Sequence, residues 1–113
     1  MSDKYEVRNA IIRSTKISTE RVLSAWLNLD YGGGSHQGFG GWMLYRDLTT
    51  DKGNFGGHFI LRCIEIGGVE DWEQLPGKTI RVRIGSDGLI KSIGHIVKDD
   101  WFMPAEDFKR FQT

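Results

Sequence analysis

At 113 residues the chain has the length of one compact domain, and a two-domain organisation is effectively excluded. A composition of 39% hydrophobic, 12% aromatic and 27% charged residues supplies enough apolar surface for a core and rules out a disordered tail. Fifteen basic and fifteen acidic residues cancel, and the balance holds along the chain; without clustered Lys and Arg, general nucleic-acid coating and acidic mimicry are both disfavoured.

In chain order, Tyr5 to Ser14 mixes β-branched and charged residues in loose alternation and predicts a first strand. Leu23, Ala25, Leu27, Leu29 and Tyr31 then occupy one parity and Ser24, Asn28 and Asp30 the other, the period-2 signature of a half-buried strand, with Trp26 on the outer face. Residues 32–41 hold six glycines and predict a loop between this strand and a returning one that starts at Trp42. Residues 46–54, with Asp51-Lys52-Gly53, have turn composition. From Gly57 to Ile66 the period becomes helical: Phe59, Cys63 and Ile66 form the buried stripe, and Gly67-Gly68 supply the stop.

Residues 69–77 predict an irregular turn anchored by Trp72 and Leu75. Ile80, Val82 and Ile84 alternate with Thr79, Arg81 and Arg83; a Gly85-Ser86-Asp87-Gly88 turn and a returning strand from Leu89 to Val97 complete a β-hairpin. Pro104 opens a short helix through Phe111. The order β-β-β-α-β-β-α predicts a single α+β domain over residues 1–113, a mostly antiparallel five-stranded sheet with one main helix on one face.

The lone Cys63 excludes an intramolecular disulfide and a cysteine zinc site, which fits a reducing cytoplasm. Neither a signal peptide nor a membrane span is expected. No metal or other cofactor is implied. Histidines number three, His36, His58 and His95, without metal-ligand spacing, and Gly-x-Ser-x-Gly is absent.

The glycine-rich segment is the most unusual feature. It matches neither a Walker loop nor a dinucleotide fingerprint, because strands follow where helices are needed. It reads either as a flexible hairpin loop, or a glycine-bulged bend where another backbone packs closely, or as a ligand loop in which Ser35, His36, Gln37, Gly38, Phe39 and Gly40 present backbone amides, polar groups and a stacking ring. On the hairpin, pairing Ile84 with Leu89 would set Arg83 opposite Ile90, Arg81 opposite Ser92 and Thr79 opposite Gly94, a solvated face or a shallow anion cradle. His95 with Asp99 or Asp100 reads as a structural histidine or a base with its orienting acid. Trp26, Phe39 and Trp101-Phe102 are candidate exposed contacts for a partner or planar ligand.

Three blocks carry a family resemblance: Tyr31-Gly32-Gly33 through Gln37-Gly38-Phe39-Gly40-Gly41, Trp72-Glu73-Gln74-Leu75-Pro76-Gly77-Lys78-Thr79-Ile80-Arg81-Val82, and Ile93-Gly94-His95-Ile96 with Asp100-Trp101-Phe102 and Pro104. Together they resemble a group of small, uncharacterised proteins encoded by bacteriophages and prophages, from which this chain departs between Met43 and Gly57. The resemblance implies a viral accessory protein acting in the host cytoplasm and names no activity.

The expectation is a non-enzymatic, homo-oligomeric binding protein that counters a bacterial defence system. It would sequester a small anionic, nucleotide-type signal or bind a host defence protein, through Ser35, His36, Gln37, Gly38, Phe39, Gly40, Arg81, Arg83 and His95. The alternatives are a small hydrolase or nuclease using His36 or His95 with Asp99 or Asp100, and a structural phage protein.

Overall fold

The strand that organises the sheet is the first one. β1 (Glu6–Ser18) pairs through its first half with β4 (Thr79–Ile84) and through its second half with β2 (Ser24–Asp30), and the two ladders meet at Ile11, which faces both Thr79 and Asp30. A register shift between Ile12 and Ser14 marks a bulge. Only Ala10 and Ile12 of this strand are buried, which is why its sequence shows little alternation, and it runs on to Ser18, four residues past the expected end. The computed structural model describes residues 5–20, 22–44 and 55–111; the turn expected at 46–54 lies outside them.

β3 (His36–Met43), β5 (Ile90–Gly94) and β6 (Trp101–Phe102) complete an antiparallel six-stranded sheet in the order β3-β2-β1-β4-β5-β6. The sixth strand is only two residues long, too short for periodicity to reveal. The sheet curls around α1 (Phe55–Gly67), whose Phe59, Cys63 and Ile66 are buried as the helical period requires, and Gly68, at φ +69°, ends the helix. α2 (Pro104–Phe111) packs near β5. No helix among the described residues is long and apolar enough to cross a membrane.

Two sequence expectations are corrected. Only residues 32–35 of the glycine segment form a turn, closed by the Tyr31 N–H donating to the Ser35 carbonyl at 3.1 Å; from His36 onward the segment is a strand. Phe39 is therefore not a loop ring. It points inward, is 6% exposed, and packs 5.7 Å from the Phe59 ring centroid and 6.4 Å from that of Phe102, itself buried.

The glycines of β3 are needed for packing. Gly40 and Gly41 have φ of +137° and +99°, and a Cβ on Gly40 would run into the Ala25 carbonyl and the Phe59 ring. A Cβ on Gly38 or Gly41 would press on the Trp26 indole, at 3.2 and 2.7 Å, so the outward Trp26, 39% exposed, rests on a bed of glycine.

The curl is clasped by one side chain. The Gln37 amide nitrogen donates to the Tyr31 hydroxyl at 2.9 Å and to the Gly88 carbonyl, while its carbonyl oxygen accepts the Ile90 N–H at 3.0 Å. An edge strand is thereby tied to the β4–β5 hairpin on the other side of the molecule.

Two measurements follow from this packing. Gly40→Ala is expected to cost on the order of 3 kcal/mol in urea unfolding, from backbone strain plus overpacking, whereas Gly33→Ala, in open space, costs about 1 kcal/mol. Cys63, buried on α1 with its thiol pushed well above the ordinary range by desolvation, is expected to resist aromatic disulfide reagents at neutral pH until denaturant is added. Rapid native labelling would contradict that placement.

Candidate functional site

The sheet curls without closing, and the gap forms a groove. β3 has no strand partner on its outer edge among the described residues, and across from that edge stand the start of β5 and the first turns of α2. Between them lies an open groove of about 670 Å³ lined by Gln37 to Gly40 and Trp42 on one side and by Leu89 to Lys91, Pro104, Ala105, Phe108 and Lys109 on the other. That volume falls within the range of small-ligand sites.

Its walls and rim have distinct chemistry. Trp42 and Phe108 meet edge-on at 4.9 Å between centroids, giving an aromatic corner backed by Phe59 at 5.5 Å from Trp42. Lys109 is exposed at the rim; Lys91, also on the rim, is ion-paired with Asp87 at 2.8 Å. Because Tyr31 donates to Ser35, antiparallel alternation turns the main-chain groups of Gln37 and Phe39 toward β2 and those of Gly38 and Gly40 outward. A ligand can approach that backbone closely.

Four of the expected site residues, Gln37, Gly38, Phe39 and Gly40, thus line one groove, with changed roles: Gln37 is the clasp, Phe39 part of the aromatic floor, and the two glycines the open edge. Ser35 sits in the turn and His36 opens β3 on the exposed side. Sequence reading missed Trp42, Phe108, Lys91 and Lys109. The available signal was the spacing of Pro104, Phe108 and Lys109, which sets a ring and a cation one residue apart on a helix whose start was already evident.

Arg81 and Arg83 do not join this groove. They alternate with Ile80, Val82 and Ile84, which face α1, so the arginines lie on the outer face, and two strands, β2 and β1, separate β4 from β3 in sheet order. A single cleft built from the glycine segment and the arginines is therefore set aside. The hairpin register also differs from the expected one by two residues at the arginines: Ile84 faces Ile90 in place of the expected Leu89, one place on, and a bulge beside Ile90 adds a second, so that Arg83 faces Ser92 and Arg81 faces Gly94. Both guanidinium groups lie over Trp101, at 4.8 and 3.9 Å from its ring centroid. Trp101 and Phe102 are accordingly not an exposed pair: the first is covered by arginine and the second is buried.

His95 holds a loop together. Its Nδ1 accepts the N–H groups of Val97 and Lys98, both at 3.0 Å, and its carbonyl accepts the Arg81 Nε at 2.8 Å. The Asp100 carboxylate is engaged by Arg62 at 2.7 Å, and the hydrogen bond between His95 and Asp100 is a main-chain one, the His95 N–H donating to the Asp100 carbonyl at 3.0 Å. Arg62 also reaches the Trp101 carbonyl at 3.2 Å and thereby ties α1 to β6. At the helix-to-helix contact, His58 Nε2 lies 2.8 Å from an Asp107 carboxylate oxygen beneath the aromatic cluster. No group of three or more metal-ligating side chains occurs among the described residues.

In comparisons with known proteins, no family model, no curated protein and no solved structure matches the chain. The functional reading therefore rests on the groove and the faces just described.

The Arg62 contact makes an acid-sensitive latch. The guanidinium, through its hydrogen bond to Asp100, holds that carboxyl below its ordinary value. A carboxyl depressed in the folded state contributes stability that is present above its unfolded value, about 3.9, and is lost as pH falls through the folded one. Asp100→Asn is expected to lower stability at pH 7 and to flatten the acid limb of the stability profile below about pH 4, as read by urea titrations across pH. An unchanged acid limb would show that the latch contributes nothing.

Proposed function

We propose that the protein is a non-enzymatic sequestering protein, an accessory factor of the phage type it resembles, that counters a bacterial defence by holding a nucleotide-type signal in the groove between β3 and α2. The observation that carries this reading is the combination in one groove of ligand-sized volume, an aromatic corner and a lysine rim. A planar base would lie against Trp42 and Phe108, and phosphates would face Lys109 and Lys91. The Gly38 and Gly40 edge would supply main-chain hydrogen bonds, and Gln37, by clasping the sheet, would set the groove's width. Such a ligand would be captured from the host cytoplasm and left chemically unchanged.

A second reading uses the same groove. The edge of β3, unpaired among the described residues, and the facing helix α2 form a slot into which an extended segment of a host defence protein could add as a further strand, the outward main-chain groups of Gly38 and Gly40 pairing with it. Self-association belongs to both readings: β3 carries no charged side chain to guard its edge, and Trp26 is exposed beside it. Light scattering at tens of micromolar should then show an oligomer.

A thermal-shift panel of linear and cyclic nucleotides separates the readings. A bound nucleotide at 100 times its dissociation constant should add about 2.7 kcal/mol, a rise of roughly 10 °C for a domain of this size. Lys109→Glu should reduce that shift without changing the unliganded melting temperature. Absence of any shift, with a host protein that co-purifies with the wild type and is lost in Lys109→Glu, would replace the nucleotide with the peptide segment.

A further inference from the structure

We propose that the outer face where β4, β5 and β6 meet is a second binding site, for a free phosphoryl dianion, formed by Arg83 with the remaining N–H groups of Arg81. The site is built on Trp101. Its indole lies flat over Gly94, where a Cβ would fall 2.6 Å from the ring, so only glycine allows this seat. Both guanidinium groups are gathered over that indole, Arg83 at 3.9 Å and Arg81 at 4.8 Å from the centroid.

Both cations lie over one indole, and neither is ion-paired among the described residues. Arg81 is fixed by donating Nε to the His95 carbonyl at 2.8 Å and Nη2 to the Lys98 carbonyl at 2.7 Å, contacts that orient it and leave its charge unopposed. Arg83 makes no hydrogen bond and no ion pair among the described residues, and its neighbours across the ladders, Val7 and Ser92, are uncharged. Nearby acids are engaged elsewhere, Glu6 by Arg8 and Asp100 by Arg62. The ring quadrupole attracts each guanidinium without cancelling its charge, so the pair repels until an anion bridges it.

An independent observation marks the same spot. Ser92, directly opposite Arg83 in the ladder, is fully buried, and its Oγ is the one buried side-chain polar atom without a hydrogen-bond partner among the described residues. A hydroxyl in such a position ordinarily finds a partner. Two guanidinium groups with a spare hydroxyl beside them match a doubly charged, multi-oxygen group better than a singly charged carboxylate. The site faces away from the groove and stands whether or not the groove takes a nucleotide.

The test is calorimetric and fluorescent titration of the full chain with sodium pyrophosphate at constant ionic strength. Wild type should bind saturably with a change in tryptophan emission, and Trp101→Phe should lose most of that change. Arg83→Gln should weaken binding about tenfold or more, and Arg83→Lys should fail to restore it, because an ammonium group lacks the planar fork. Lys109→Glu, in the groove, should leave it unaltered. ADP should bind no more tightly than pyrophosphate if the phosphoryl group alone is recognised. Absence of saturable binding, or wild-type affinity in Arg83→Gln with an unchanged melting temperature, would overturn the proposal. So would tighter ADP binding that depends on Lys109, since recognition would then lie in the groove. If Arg83→Gln melts early, Arg83→Lys decides, full affinity there counting against the site.

Discussion

The side-chain amide of Gln37 governs the shape of this molecule. An open six-stranded sheet has two edges far apart; here the strand at one edge is brought to the hairpin near the other by two hydrogen bonds of one side-chain amide, which also donates to the Tyr31 hydroxyl. Because the amide donates to a carbonyl and accepts from an amide N–H of the same hairpin, it imitates a strand neighbour over the width of one residue. The chain thus gets barrel-like curvature, enough to wrap α1, without a continuous ladder. The space left where the ladder does not continue is the groove.

Much of this architecture was legible in sequence where one face is buried and the other solvated. The alternation of Ala25, Leu27 and Leu29, the stripe of Phe59, Cys63 and Ile66, and the alternation of Ile80, Val82 and Ile84 each correspond to a buried row. Legibility failed where a glycine stood in a strand. Residues 36–41 have too little side chain for a period to show, and only Phe39, alone on its inward parity, hinted that the segment was half-buried. It also failed at bulges, which cannot be seen in a single strand's pattern: one interrupts the register of β1 with β2, and another accounts for one of the two places by which Arg81 and Arg83 are moved along their partner strand. The groove was half legible, since Gln37 to Gly40 of its β3 wall lay inside the segment singled out by composition, while its other wall comes from residues 89–109, far along the chain.

The abundance of glycine has a common physical cause at the two outward tryptophans. Trp26 rests on Gly38 and Gly41 and Trp101 on Gly94; in each case an indole too large to stand upright on a strand lies down across a neighbour that has no side chain. The two then diverge. Trp26 keeps a free surface beside a broad depression on the outer face, whereas Trp101 is roofed by arginine. One sheet therefore carries an apolar outer patch toward one edge and a cationic one toward the other.

The clasp has a kinetic corollary. Gln37 meets residues 51 and 53 positions further along the chain, and β1 must find β4 some seventy residues downstream, so the contacts that shape the domain are of long range in sequence. High contact order slows folding, because the entropy of closing long loops is lost before the contacts that compensate it can form. During that interval the glycine-rich edge of β3 has neither clasp nor groove wall beside it, and the nascent chain passes through a stage in which its stickiest strand is its least guarded.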